Sequence, residues 1–305
     1  MMQGLVMRST GSFYDVLAED RKKYNCRVRG KIRLEGIRET NPIAVGDQVQ
    51  FEPEHDIGWI TAILPRTNHM LRQSVKKTGH AHVLAANVDQ TLIVATFAYP
   101  RTSLGFIDRF LVSAESFRIP QILVFNKRDL LTPEELLRQQ DLTTLYNSLG
   151  VTTLSTTNKN DSPLDILALL QGKTTLIAGH SGVGKSTLLN RIIPGLDQKT
   201  GEISGFSDKG THTTTFAEMF AINENTYVID TPGVKEWGLV DMNEQEISDY
   251  FPEMRDRRLN CKFGSKCLHL QEPKCVIREA VEHGEIALTR YDSYLSMVLG
   301  EDNRK

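Results

Sequence analysis

The chain is 305 residues long, 40 % hydrophobic and 24 % charged, with a formal net charge of −2. Those values describe a soluble globular protein long enough for two or three domains. Met1 to Thr10 holds no apolar stretch long enough for a secretion signal, and runs such as Leu92 to Ala95 are too short to span a bilayer. A cytoplasmic protein without a membrane partner is expected. Charge is unevenly spread: 13 Lys/Arg against 9 Asp/Glu over residues 1–80, 13 against 21 over 81–254, and 10 against 8 over 255–305. The basic flanks would meet a polyanionic partner, although a solvated surface accounts for differences of this size about as well.

From Gly4 to about Pro65, short β-like runs alternate with turn residues: Phe13–Leu17, Cys26–Ile32, Asp47–Phe51 and Trp59–Ile63. Strand periodicity places Cys26, Val28, Gly30 and Ile32 on one face and Arg27, Arg29, Lys31 and Arg33 on the other. Several short strands in so little chain predict a small barrel of the oligonucleotide/oligosaccharide-binding (OB) kind. Its basic face suits nucleic acid or plain solvent. From about Ala85, apolar strands alternate with amphipathic helices: a strand Gln90–Phe97, a helix around Ile107–Ser116, a strand Gln121–Phe125, a helix from Pro133, strands Val151–Leu154 and Thr174–Ala178, and a helix Lys185–Ile193. This alternation predicts a mostly parallel sheet with ligands at the strand ends. After Pro252 a compact helical tail carries a Cys/His cluster. The divisions expected are a barrel over 1–70, an α/β domain over 71–245 and a zinc-binding helical domain over 246–305.

Asn126-Lys127-Arg128-Asp129 directly follows the Gln121–Phe125 strand. The Asp129 carboxylate is suited to accept from guanine N1–H and the exocyclic amine. Adenine, with an acceptor at N1, would leave it unpaired, a mismatch worth factors of about 10⁴. Ser155, at the end of the next strand, is placed for a backbone contact with guanine O6. The Gly179-His180-Ser181-Gly182-Val183-Gly184-Lys185-Ser186 loop follows an apolar strand and opens a helix, the context a phosphate loop requires. Its N–H groups and that of Thr187 would surround phosphate oxygens, Lys185 would neutralise the β and γ phosphates, and Ser186 would offer its hydroxyl to Mg²⁺. Within Gly210–Thr215, Thr214, with Thr213 as the alternative, would complete the Mg²⁺ shell. Asp230, ending the strand Tyr227–Ile229, would hold Mg²⁺ through water, and Gly233 would donate its N–H to the γ-phosphate. Val234 stands where many GTPases carry a water-orienting Gln, so His212 is the candidate catalytic group, or else a loop histidine with a local hydrogen bond. The base-reading motif precedes the phosphate loop, the reverse of the ordinary order. A doubly wound sheet tolerates that shift because permutation leaves its packed core unchanged. The expected fold is thus an all-β OB-like barrel, an α/β P-loop GTPase in circularly permuted order, and a small helical zinc domain. The expected ligands are GTP and GDP with Mg²⁺.

Cys261, Cys267, His269 and Cys275 supply three thiolates and one imidazole within a short span. That set fits one closed, structural Zn²⁺ site better than a disulfide. Cys26 reads as core.

Taken together, these parts resemble the ribosome small-subunit-dependent GTPase family of bacterial assembly factors. The resemblance runs through Asn126–Asp129, Gly179–Ser186, His212-Thr213-Thr214-Thr215, Asp230-Thr231-Pro232-Gly233, the Cys/His spacing and the tail Arg290-Tyr291-x-Ser293-Tyr294. It implies GTP hydrolysis that is slow alone and stimulated by the small (30S) ribosomal subunit, a role in late maturation of that subunit, contacts to 16S rRNA from barrel and zinc domain, and catalysis by His212. A monomer is expected. Two departures are visible. Thr211 stands where the family has Arg, which puts any contact of that Arg in doubt, and Thr156 stands where Ala is usual, with little consequence expected. The competing reading is an RNA-binding module whose nucleotide site scarcely turns over, kept open by Val234. A large-subunit assembly GTPase is disfavoured by the barrel and zinc tail, and an ATPase by Asp129.

Overall fold

The computed structural model describes residues 1–29, 43–54, 57–73, 81–157, 162–193, 195–196, 217–231, 239 and 242–300. The N-terminal part is a barrel of β1 (Met2–Ser9), β2 (Tyr14–Ala18), β3 (Lys23–Val28), β4 (Gln48–Glu54) and β5 (Ile57–Ile63). Pairing runs β1–β2–β3–β5–β4 and closes β4 onto β1, with β3 and β5 parallel. Val6, Tyr14, Val16, Cys26, Val49, Phe51 and Ile60 fill the interior. Burial pushes the Cys26 thiol up to about 11, so it packs as an apolar group. Arg27 and Arg29 are exposed as alternation predicts; Arg27 lies 4.1 Å over the Phe13 ring and Arg29 pairs with Glu52 at 3.1 Å. Gly30, Lys31, Ile32 and Arg33 lie outside the described residues. The periodicity reading passes over β1, because a bulge between Val6 and Arg8 breaks its alternation and it has partners on both edges.

A hairpin of β6 (His69–Gln73) and β7 (Ala81–Ala86) follows, starting before the expected division after residue 70. The central sheet then comprises β8 (Gln90–Thr96), β9 (Gln121–Asn126), β10 (Thr152–Ser155), β11 (Thr174–Gly179), β12 (Glu218–Asn223) and β13 (Thr226–Asp230), in the order β10-β9-β8-β11-β13-β12. Neighbours from β10 to β13 are parallel, and β12 is antiparallel to β13. Along β8, Leu92 and Val94 face one core, and Ile93 and Ala95 the other. Every residue of that strand is buried, the mark of a sheet covered on both faces.

One face carries α1 (Leu104–Glu115) and α2 (Pro133–Ser148), through Phe106, Phe110, Leu111 and Tyr146; the other carries α3 (Leu164–Leu170) and α4 (Lys185–Ile192), through Ile166, Leu170, Leu188 and Leu189. Helix α2 starts as its sequence dictates, with Pro133 at the first turn and Thr132 and Glu135 exchanging side-chain and backbone hydrogen bonds in a capping box. At the far edge Arg8 of β1 pairs with Glu218 of β12, so barrel and central sheet form one continuous sheet of 11 strands.

The C-terminal part packs α5 (Glu244–Ile247), α6 (Pro252–Arg255), α7 (Val276–Glu282) and α8 (Leu288–Val298) around Phe251, Met254, Ile277 and Tyr294, a core that also takes in Val112 of α1. It is joined to α1 by a buried charge cluster. Arg290 donates to Asp108 at 2.5 Å and to Glu253 at 2.7 Å, lies 4.5 Å over the Phe251 ring, and Tyr146 donates its O–H to Asp108 at 2.8 Å. Burial and the adjacent Asp108 carboxylate hold the Tyr146 phenol well above its ordinary value. Among the described residues no helix is long and apolar enough to cross a membrane.

Candidate nucleotide and metal sites

Because β9, β10, β11 and β13 run parallel, their C-terminal ends share one edge of the sheet. The chain emerges there five times: beyond Thr96 of the equally parallel β8, into Asn126–Asp129, beyond Ser155, into the phosphate loop, and at Asp230. Strands β9 and β10 lie on one side of β8, β11 and β13 on the other, and the crevice between them is where such a sheet binds ligands.

The phosphate loop has the backbone its glycines predict. Gly182 and Gly184 adopt φ of 83° and 95°, and Gly184 leads into α4. At Gly179 a Cβ would stand 2.5 Å from the Val94 carbonyl oxygen, so only glycine lets β11 approach β8 before the loop turns. His180 packs on Phe106 of α1 with ring centroids 3.7 Å apart, and burial lowers its pKa. Ser181 and Gly182 are exposed, Val183 is buried, and Ser186 and Thr187 lie in the first turn of α4. Lys185 bonds the Asp230 carboxylate and the Thr231 carbonyl, so the residues assigned to the phosphates and to Mg²⁺ meet. Ser186 and Asp230 offer oxygen donors at one edge, the ligand type Mg²⁺ prefers.

The base-reading turn is fastened directly to this loop. Asn126 Nδ2 donates to the Val183 carbonyl at 2.9 Å; Lys127 Nζ donates to the carbonyls of Gly182 at 2.6 Å and Tyr99 at 2.9 Å. Lys127 adopts a left-handed φ of 62° and is buried, which lowers its pKa. That conformation costs about 1 kcal/mol or more in a non-glycine residue and persists only where its surroundings impose it. Beyond it, Asp129 sits exposed in a single 3₁₀ turn, Arg128–Leu130, with its carboxylate open to a ligand. Ser155 pairs with Phe125 and donates its hydroxyl to Gln139 Oε1 at 3.1 Å. The N–H of Thr156 is committed to the Phe125 carbonyl at 2.8 Å.

Thus Asn126, Lys127, Asp129, Ser155, Gly179–Thr187 and Asp230 share one edge. His212, Thr213, Thr214, Gly233 and Val234 lie outside the described residues. Sequence reading passed over Tyr99, whose carbonyl receives Lys127, and Arg191 of α4, which donates to the Thr157 carbonyl at 2.9 Å. Neither bond has a motif to announce it, because both end on backbone oxygens and Arg191 lies well past the loop.

The side-chain donors of Cys261, Cys267, His269 and Cys275 all lie within 4.8 Å of one another, and all four residues are buried. His269 Nδ1 is 3.3 Å from Cys275 Sγ and 3.6 Å from Cys261 Sγ, and the Sγ atoms of Cys261 and Cys275 are 3.9 Å apart. A tetrahedral Zn²⁺ with Zn–S bonds of about 2.3 Å requires sulfurs roughly 3.8 Å apart, so the set fits. Burial pushes the Cys267 thiol up to about 12 and His269 down to about 4. Such a pocket disfavours bare thiolates and calls for a cation to compensate them. The surrounding loop is held without regular structure: Glu272 accepts from the amides of Leu268 and Leu270 at 2.7 Å and Gln271 at 3.0 Å, while Tyr291 and Tyr294 donate to the carbonyls of His269 and Leu268 at 2.6 and 2.7 Å. His269 itself has a left-handed φ of 57°.

A parallel sheet with a phosphate loop, met by the chain in shifted order and with a base-reading turn hydrogen-bonded to that loop, defines a circularly permuted GTPase. Residues 63–240 match the family model described as RsgA GTPase, and residues 3–60 match the RsgA N-terminal domain. Two curated relatives, each called small ribosomal subunit biogenesis GTPase RsgA, come from Christiangramia forsetii (48 % identical, covering 99 % of this chain and 97 % of the relative) and Bacteroides fragilis (46 %, covering 100 % and 98 %). Among solved structures, YjeQ from Thermotoga maritima superposes with a TM-score of 0.77 at 34 % identity, covering 100 % of this chain and 99 % of that one. YloQ, described as a circularly permuted GTPase, gives 0.73 at 33 %, covering 100 % and 96 %. The chain belongs to the RsgA GTPase family.

Proposed function

We propose that this protein hydrolyses GTP as a switch in late maturation of the small (30S) ribosomal subunit in the cytoplasm, binding the nascent subunit in its GTP form and leaving it after hydrolysis. The observation that carries the reading is the direct bonding of Asn126 and Lys127 to the phosphate loop. It comes from a chain 48 % identical to a protein named for small-subunit biogenesis. In this reading Asp129 accepts from guanine, the backbone beside Ser155 supports O6, N–H groups from Gly179 to Thr187 hold phosphate oxygens, and Lys185 neutralises the β and γ phosphates. Ser186, Thr214 and Asp230 would hold Mg²⁺, which when bound offsets charge developing between β and γ oxygens. Gly233 donates to the γ-phosphate, and His212 positions or activates the attacking water. Cys261, Cys267, His269 and Cys275 hold one structural Zn²⁺. The basic barrel face and the zinc module meet 16S rRNA, and the free protein is a monomer.

GTP turnover with and without purified small subunits tests this. Stimulation of tenfold or more, a barrier lowering of at least ~1.4 kcal/mol, is expected, with His212→Ala abolishing it while GTP binding stays intact. Turnover that stays negligible with subunits present would favour a GTP-regulated RNA-binding module instead, and unchanged turnover in His212→Ala would remove the catalytic role of that residue.

A further inference from the structure

Thr156 directly follows Ser155, the last residue of β10, and its hydroxyl is engaged. Asn126 must turn its amide Nδ2 toward Val183, because a carbonyl oxygen only accepts. That leaves Asn126 Oδ1 facing Thr156 Oγ1 at 3.0 Å, so the hydroxyl is the donor there. Thr156 is itself poorly able to move: its N–H bonds the Phe125 carbonyl at 2.8 Å and its carbonyl receives Arg128 N–H at 3.0 Å. The next residue is tied as well, since Arg191 of the phosphate-loop helix donates to the Thr157 carbonyl. Thr156 thus touches the base-reading turn at two places, the Asn126 side chain and the Arg128 backbone, which bracket the left-handed Lys127.

We infer that Thr156 is a positioning residue for guanine nucleotide binding: its hydroxyl orients the Asn126 amide that fastens the base-reading turn to the phosphate loop. The inference rests on the GTPase reading above and deepens it. Thr156 needs no contact with the nucleotide. It holds Asp129 at a fixed distance from the phosphate cradle, so that base and phosphates are gripped by one rigid frame. GDP and GTP carry the same base, so the hydroxyl contributes to both equally and to the chemical step not at all.

Two variants separate hydroxyl from shape. Thr156→Val keeps the shape and loses the donor; Thr156→Ser keeps the donor and loses the methyl. With the full chain and Mg²⁺ present, equilibrium titration should show Thr156→Val binding GDP and GTP about tenfold more weakly, ~1.4 kcal/mol for the loss of one hydroxyl-to-amide hydrogen bond. The kcat should stay within about twofold, and Thr156→Ser should bind within about twofold of the parent. In an Asn126→Ala background, Thr156→Val should add nothing, because the group it orients is gone. Parent-like binding by Thr156→Val, or Thr156→Ser as weak as Thr156→Val, overturns the inference, as does full additivity with Asn126→Ala. ADP titrated against the parent keeps the two levels apart: a parent that binds ADP as well as GDP refutes the GTPase reading itself, whatever the variants do.

Discussion

The nucleotide site and the Cys/His site are built in opposite ways. The first stands on the ends of buried parallel strands, each with its own packed neighbours, so Asn126, Gly179 and Asp230 are brought together by a core that exists for other reasons. The second stands on short turns between small helices, and its three cysteines are themselves members of the core they sit in. A strand-end site is produced by its fold; a site of the second kind produces its fold when the metal arrives.

The strongest way to break that contrast is to remove the metal. Structural zinc contributes on the order of 10 kcal/mol to modules of this type. Chelation, or Cys275→Ser, should therefore melt residues 246–300 while leaving residues 1–231 folded, read as loss of hydrogen-exchange protection confined to the C-terminal part. GDP affinity should fall by less than about tenfold, since the strand-end bonds seen among the described residues do not involve the module. Protection retained throughout the metal-free tail would show that the turns hold themselves.

A smaller effect sharpens the other side. In Asp129→Asn, one end of the amide still accepts from N1–H, but the other must donate, which suits the C2 carbonyl of xanthine rather than the guanine amine. Competition binding should show preference reversing from GDP to XDP by factors of roughly 10² to 10⁴, with the phosphate contacts untouched. Unchanged preference for GDP would move the base to another part of the surface.

Between the two regions lies the Asp108–Arg290–Glu253 cluster, with Asp108 and Arg290 buried and Glu253 nearly so. Arg290→Ala leaves two carboxylates without their cation, which costs about 3–5 kcal/mol. The drop in thermal midpoint should be accompanied by early exposure of the C-terminal core, and Arg290→Met should recover part of it. At the far edge, the exposed Arg21–Glu224 pair spans barrel and β12–β13 hairpin, and Arg21→Ala should leave the midpoint within experimental scatter. A large loss there would mean that the barrel is held by charge rather than by the continuous sheet.

What could be read from the chain alone follows the same contrast. Motifs whose chemistry is local, such as Gly179–Ser186, Asn126–Asp129 and Cys261–Cys275, were legible in any order along the chain, and so was the apolar-strand texture that places them at strand ends. Contacts made across long separations were not. Arg290 stands in the sequence only as part of the tail Arg290-Tyr291-x-Ser293-Tyr294, and nothing there announces that it meets Asp108, 182 positions earlier. Strand β1 was illegible because its bulge scrambles the period, and α3 because seven residues are too few to show one. Thr156 looked inconsequential because only its backbone was expected to matter, whereas its hydroxyl meets Asn126, which sequence order separates by 30 positions.

The central claim is that a base-reading turn and a phosphate loop, inverted along the chain, make one nucleotide site. Calorimetric titration of the full chain with GDP and ADP tests it most directly. GDP bound at least about a thousandfold more tightly than ADP, with Lys185→Ala weakening GDP, is the predicted result; equal affinity for the two nucleotides would contradict it.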